Sequence, residues 1–318
     1  LSRFARTDEG ISRFAGLVSW MGANLYTLEW RKNIPADANL IVIAGPTSDF
    51  SDDQTARLWA YLMNGGRILL LTDAINTDGT NNRTFQSTRG LFQLTWSDLG
   101  IRNRSDIVSL PHDVRTVDVT ETDRDGNITA EYSVESPLLD WMLTTDNFNG
   151  SHPILDGFVA EDTHFHFEDV RSIEVDASLQ TFDVQPLIYT TGSDYFGESD
   201  IQRYLDFGVS EYDVLDDTPF GELILAASME DNTTSARMIL IGDSDFVRNG
   251  YGFQTSPSYS GAFIYPDNVQ FMMNAVAWLL EREPATYQFP LPAPTATATL
   301  TPTPTPIPTA TPEGTESS

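Results

Sequence analysis

IPADANLIVIAGPTSDFSDDQTARLWAYLMNGGRILLLTD, residues 34–73, is the stretch from which the fold is read. Within it, residues 39–44 (NLIVIA) form a continuous apolar run that stops at Gly45-Pro46, the pattern of a strand buried on both faces. Ser51 can cap a helix on which Ala56, Trp59, Ala60 and Met63 share a face, and Gly65-Gly66 ends it. Residues 67–72 (RILLLT) make the next strand. Strand, helix and strand in that order imply a right-handed parallel crossover.

Working outward, Ile11, Phe14, Ala15 and Val18 recur at helical spacing, a short strand is expected at 25–29, and a further helix is expected near 87–99. Residues 114–121 and 127–134 flank Asp125-Gly126 and predict a β-hairpin. A short helix is expected around 138–143, then strand-like pieces of unassigned order between His152 and Val184, and a strand at 186–190. The framework resumes with strands at 222–228 and 237–241 (RMILI). A final amphipathic helix at 268–280 carries Phe271, Met272, Ala275, Val276 and Leu279. The expected fold class is α/β, a mostly parallel sheet flanked by helices, filling residues 1–284 with a β-rich insertion near 107–184.

From residue 285 the sequence turns into a Thr/Pro-rich tail, with proline at nearly every second position between Pro302 and Pro308, read as a disordered or extended spacer. Thr-Pro tracts of this kind look like the stalks of exported bacterial proteins, so an extracytoplasmic location is expected. No run reaches the roughly 18 apolar residues of a spanning helix. The chain opens at Leu1 without a signal pattern, so an anchoring N-terminal segment outside this chain is expected. There are 46 acidic residues against 18 basic ones, a formal charge of -28, which disfavours nucleic acid as a partner. Cysteine is absent, which removes disulfides, thiolate metal sites and thiol nucleophiles.

Three expected strands end in carboxylates or small polar residues: Gly45-Pro46-Thr47-Ser48-Asp49, Thr72-Asp73 and Gly242-Asp243-Ser244-Asp245. In a parallel sheet these ends line the edge where open α/β folds bind ligands. Thr47, Asp49, Asp73, Asp243 and Asp245 are therefore the candidate ligand-binding residues, for a cation or sugar hydroxyls. The plainer reading of the same residues is helix capping and Asx turns. His164 and His166 alternate along HFHFED, but no third metal ligand is supplied by the sequence, and an exposed strand face is expected. No catalytic residue, cofactor or metal is assigned. Neither G-x-S-x-G nor the Gly-rich phosphate loops occur.

Residues 34–73, together with His152-Pro153-Ile154, PLIYTTGSDYFGESD from Pro186, RMILIGDSDFVRNGY from Arg237 and NVQFMMNAVAWLLERE from Asn268, resemble the GldG-like auxiliary component of ABC transport systems. The resemblance implies a class I glutamine-amidotransferase-like or flavodoxin-like domain. It further implies an exported position beside an ABC-2-type permease and its ATPase, in gliding or surface transport. The wider superfamily uses a cysteine nucleophile that this chain lacks, so a non-enzymatic binding module is expected, with a polysaccharide or surface protein as ligand. A carbohydrate hydrolase using the strand-end carboxylates, and a purely structural spacer, are the alternatives.

Overall fold

The computed structural model describes residues 1–48, 50–75, 95, 99–176, 178, 181–258 and 262–287. Helix α1 (Ser12–Trp20) precedes β1 (Ile41–Ala44), α2 (Asp52–Met63) and β2 (Arg67–Leu71). A capping box starts α2: Ser51 accepts from the Gln54 N–H while the Gln54 side chain accepts from the Ser51 N–H, and Asp52 and Asp53 complement the positive end of the helix. Its packed face keeps Trp59 and Met63 of the expected one and adds Leu58 and Leu62. Leu58 and Leu62 are buried, whereas Ala56 and Ala60 are exposed. No regular strand forms at 25–29, and the helix expected at 87–99 lies largely outside the described residues.

Further along come β3 (Ile101–Asn103), β4 (Ile107–Thr122), β5 (Ile128–Asp140), β6 (Met142–Thr145), β7 (Phe165–Glu168), β8 (Ile173–Val175), β9 (Asp183–Tyr189) and β10 (Tyr195–Glu198). The chain closes with α3 (Ile201–Phe207), β11 (Thr218–Gly221), β12 (Ile224–Asp231), β13 (Ala236–Ile241) and α4 (Pro266–Leu279). The principal sheet runs β1-β2-β13-β12-β8-β3, with β9 also paired to β12. A second sheet runs β11-β10-β4-β5, and β6 pairs β7 separately.

This arrangement overturns the mostly parallel, amidotransferase-like or flavodoxin-like sheet expected from the sequence. Only the β1-β2 and β2-β13 pairings are parallel among the described strands. β12 meets β13, β9 and β8 antiparallel, β8 meets β3 antiparallel, and the second sheet is antiparallel throughout. The physical reason is that a continuous apolar run reports burial on two faces and not strand direction. Direction here is set by a turn: Asp231 accepts from the Thr233 N–H and the Thr234 hydroxyl, folding β12 back on β13. The helix expected at 138–143 is also replaced by strand, because Leu138 and Leu139 register against His112 and Pro111 of β4. The hairpin at Asp125-Gly126 forms as expected, with longer arms. β8 and β9 carry part of the middle region into the principal sheet, and Ala285 and Tyr287 pack against the core beside α4.

The parallel strands alternate between two apolar layers. Ile68, Leu70, Met238 and Leu240 face Leu58 and Leu62 of α2, while Leu69, Leu71, Ile239 and Ile241 face the layer containing Phe14 and Leu17 of α1 and Phe271, Met272 and Val276 of α4. Both faces are dry, so the strand ends alone are left to carry polar chemistry. Truncating Leu70, which is 1% exposed, to alanine should cost about 2–5 kcal/mol in a chemical unfolding curve, whereas Val114→Ala on the exposed hairpin should change stability by less than about 0.5 kcal/mol.

Candidate ligand-binding cleft

The ladder of the three parallel strands continues one residue past each strand: the Gly45 N–H donates to the Leu71 carbonyl and the Thr72 N–H to the Ile241 carbonyl. Beyond these bonds the backbone is held tightly. At Gly242 a Cβ would sit 2.0 Å from the Arg171 carbonyl oxygen, so only glycine lets the two backbones meet there. The next residue, Asp243, is buried, and its two carboxylate oxygens accept from the backbone N–H groups of Glu168 (3.0 Å) and Asp245 (2.5 Å). Asp73 Oδ1 accepts from the Ser244 N–H at 2.8 Å, which ties the end of β2 to the turn after β13.

The result is a cluster in which one carboxylate oxygen from each of Asp73, Asp243 and Asp245 lies within 4.8 Å of the others. Arg248 closes it. Its Nη1 lies 2.5 Å from Asp245 Oδ1 and 3.1 Å from Glu9 Oε2, and its Nη2 lies 3.6 Å from Asp73 Oδ2. Beside the cluster opens a cleft of about 310 Å³. Asp73, Asp245, Arg248, Glu9, Glu168 and Asp169 supply its charge, while Trp141, Leu205, Ile75 and Tyr251 supply flat and apolar wall. The Trp141 indole N–H is buried and has no hydrogen-bond partner among the described residues.

Charge crowding governs the electrostatics. Burial, then the negative charges of Asp245 and Asp73, push the Asp243 carboxyl well above the ordinary range. Burial likewise raises Asp245, against the opposing pull of Arg248. Asp169 is raised to about 6 by burial and by the charges of Glu168 and Asp73. It also sits at φ 55, a left-handed conformation uncommon for a residue with a Cβ. For Arg248, burial opposes the charged form, and Asp245, Asp73 and Glu9 overcome it, leaving the guanidinium more basic than usual.

Residues 22–275 match the family described as "ABC-type uncharacterized transport system". The chain belongs to that family. It is thus an auxiliary component of an ABC-type transport system, and the matched span includes Asp73, Asp243, Asp245 and Arg248. No curated protein matches the chain. Among solved structures, the one described as "mmIFT52 N-terminal domain" is similar at 14% identity and TM-score 0.45, covering 76% of this chain and 77% of that one. A ThuA-like protein from Parabacteroides merdae is similar at 12% identity and TM-score 0.32, covering 81% of this chain and 76% of that one.

In this ABC-transport auxiliary component, three of the five residues expected at the strand edge converge. Asp73, Asp243 and Asp245 do so; Thr47 is exposed and does not line the cleft, and Asp49 lies outside the described residues. The histidines part company, His164 being exposed and His166 buried, stacked 3.9 Å from the Tyr265 ring and bonded to Glu168 at 3.1 Å. That corrects the exposed strand face expected for both. Glu9, Glu168, Asp169, Arg248, Trp141 and Tyr251 were not expected at the site. Only Arg248, three residues after Asp245 in a chain poor in basic residues, left a trace in the sequence.

A carboxyl whose pKa is raised by folding binds its proton more tightly in the native state, so stability falls as pH rises from the unfolded value through the folded one. For Asp169 that window runs from about 4 to about 6. Asp169→Asn, which keeps a residue tolerant of the left-handed backbone, should therefore leave stability nearly unchanged near pH 4 and raise it by about 1–3 kcal/mol near pH 7, as read from melting curves at the two values.

Proposed function

We propose that this domain is a non-catalytic recognition module of a GldG-like, gliding-motility-type ABC system, working outside the cytoplasmic membrane beside an ABC-2-type permease and its ATPase. The observation that carries the recognition role is the cleft at the ends of β2 and β13, where carboxylates outnumber the guanidinium paired with them. Such a surface suits a ligand rich in hydroxyl or cationic groups, such as a polysaccharide or a basic segment of a surface protein. Aromatic wall from Trp141 and Tyr251 adds flat area for a sugar ring or an aliphatic stem.

Two features favour binding over turnover. Both oxygens of Asp243 are occupied by backbone donors, and Asp245 is held by Arg248, so neither is free to move a proton without breaking the turn that positions it. The chain also has no cysteine to act as a thiol nucleophile. A hydrolase reading retains one observation in its favour, two carboxylates, Asp73 and Asp245, lining one cleft.

Cross-linking in cells followed by affinity purification should recover the permease and ATPase with this domain. Recovery of neither would contradict the transport role. Incubation with bacterial surface glycans should release no product, whereas turnover lost in Asp245→Asn would establish the hydrolase instead.

A further inference from the structure

We infer that the carboxylate cluster beside the cleft takes a hard divalent cation of the calcium class, ligated by Asp73, Asp243 and Asp245 with Ser244 Oγ as a further oxygen. This deepens the recognition reading and rests on the cleft being a binding site, though not on the transport role. Four observations carry it.

The first is spacing. Ligands 2.3–2.6 Å from one ion are separated by about 5 Å at most, and the three carboxylate oxygens lie within 4.8 Å of one another. They come from two separate strand ends, β2 and β13, fixed to each other by the Ser244-to-Asp73 hydrogen bond, so the spacing is imposed by the sheet and is not a chance approach of surface side chains.

The second is an orphaned donor set. Ser244 is fully buried, and its hydroxyl oxygen has no hydrogen-bond partner among the described residues. A buried hydroxyl without a partner is destabilising, and a ligand would relieve that cost. Its oxygen stands near Asp73: the position a Cβ would take at Gly45 lies 2.9 Å from Ser244 Oγ, 3.0 Å from Leu1 Cγ and 3.1 Å from Asp73 Oδ2. Gly45, at φ 56, lets Ser244, Asp73 and Leu1 close in where a side chain would otherwise stand.

The third is the donor chemistry. Every candidate ligand is an oxygen, three of them carboxylate, which selects hard cations and disfavours zinc or copper. Irregular spacing from two loops, with a cleft of about 310 Å³ available for water ligands, suits calcium's variable coordination better than magnesium's strict octahedron.

The fourth is Arg248. It already acts as an internal counter-cation, in close contact with Asp245 and at the longer distance of 3.6 Å from Asp73. Because Glu9 offers it a second partner at 3.1 Å, an arriving cation can replace it at Asp73 and Asp245 without leaving the guanidinium unpaired. Arg248 and the metal are therefore competitors for one set of oxygens.

Competition gives the proposal a distinctive test. The metal-free chain, titrated with calcium chloride by calorimetry at about 0.15 M salt, should bind one ion with a dissociation constant on the order of 10⁻⁴ to 10⁻³ M or tighter, and magnesium should bind more weakly. Asp73→Asn and Asp245→Asn should each weaken calcium binding by about tenfold or more, while Arg248→Gln should tighten it by about tenfold through loss of the competitor. Glu131→Gln, on the exposed hairpin, should change nothing. Ser244→Ala, which removes a ligand and no charge, should weaken binding by about threefold and serves if an aspartate variant fails to fold. Absence of saturable calcium binding would overturn the inference, as would binding that Asp73→Asn, Asp245→Asn and Ser244→Ala all leave intact. Failure to recover a permease or ATPase in cells would not bear on this titration, so the two readings fail separately.

Discussion

The buried carboxylate of Asp243 holds the polar end of this molecule together. It lies at the tip of β13, 1% exposed, and receives one backbone N–H from Glu168 at the end of β7 and one from Asp245 in its own turn. Those two bonds join the principal sheet to the β6-β7 pair and fix the direction in which the chain leaves β13. Removing the carboxylate would leave two buried N–H groups unsatisfied, a larger loss than the bonds' own net contribution. Asp245, Arg248 and, through Ser244, Asp73 all take their positions from this turn.

Close backbone approach makes the turn possible. Gly242 lets β13 pass against the Arg171 carbonyl, and Gly45 lets Ser244, Asp73 and Leu1 close in on the end of β1. Because both faces of the parallel strands are packed with Leu, Ile and Met, the strand ends are where the sheet can present charge. Leu205 of α3 and Trp141, which follows β5, add apolar wall to the cleft. A transport auxiliary built this way carries its chemistry at one edge and leaves the long β4-β5 hairpin projecting with a largely exposed surface.

The same division explains what could be read in the sequence. Apolar runs ending in Gly45, Thr72-Asp73 and Gly242-Asp243 are local signals, and the strands, the capped helix α2 and the convergence of Asp73 with Asp243 and Asp245 followed from them. Strand direction did not follow. β12 is buried along most of its length like a parallel core strand, and its antiparallel pairing depends on a turn of Asp231, Thr233 and Thr234 and on partners from β8 and β9 distant in sequence. Leu138 and Leu139 look helical until β4 is laid beside them. Glu9, Trp141 and Asp169 reach the cleft from distant segments, and the left-handed backbone of Asp169 has no glycine to announce it.

Everything at this edge depends on the strand ends forming one crowded carboxylate site rather than separate surface acids. A carbon-13 NMR titration of the aspartate side-chain carboxyls in the metal-free protein is the sharpest test of that crowding. Asp169 should titrate at about 6, and Asp243 and Asp245 well above the ordinary carboxylate range. Titration of Asp169, Asp243 and Asp245 in the ordinary carboxylate range, near about 4, would contradict it.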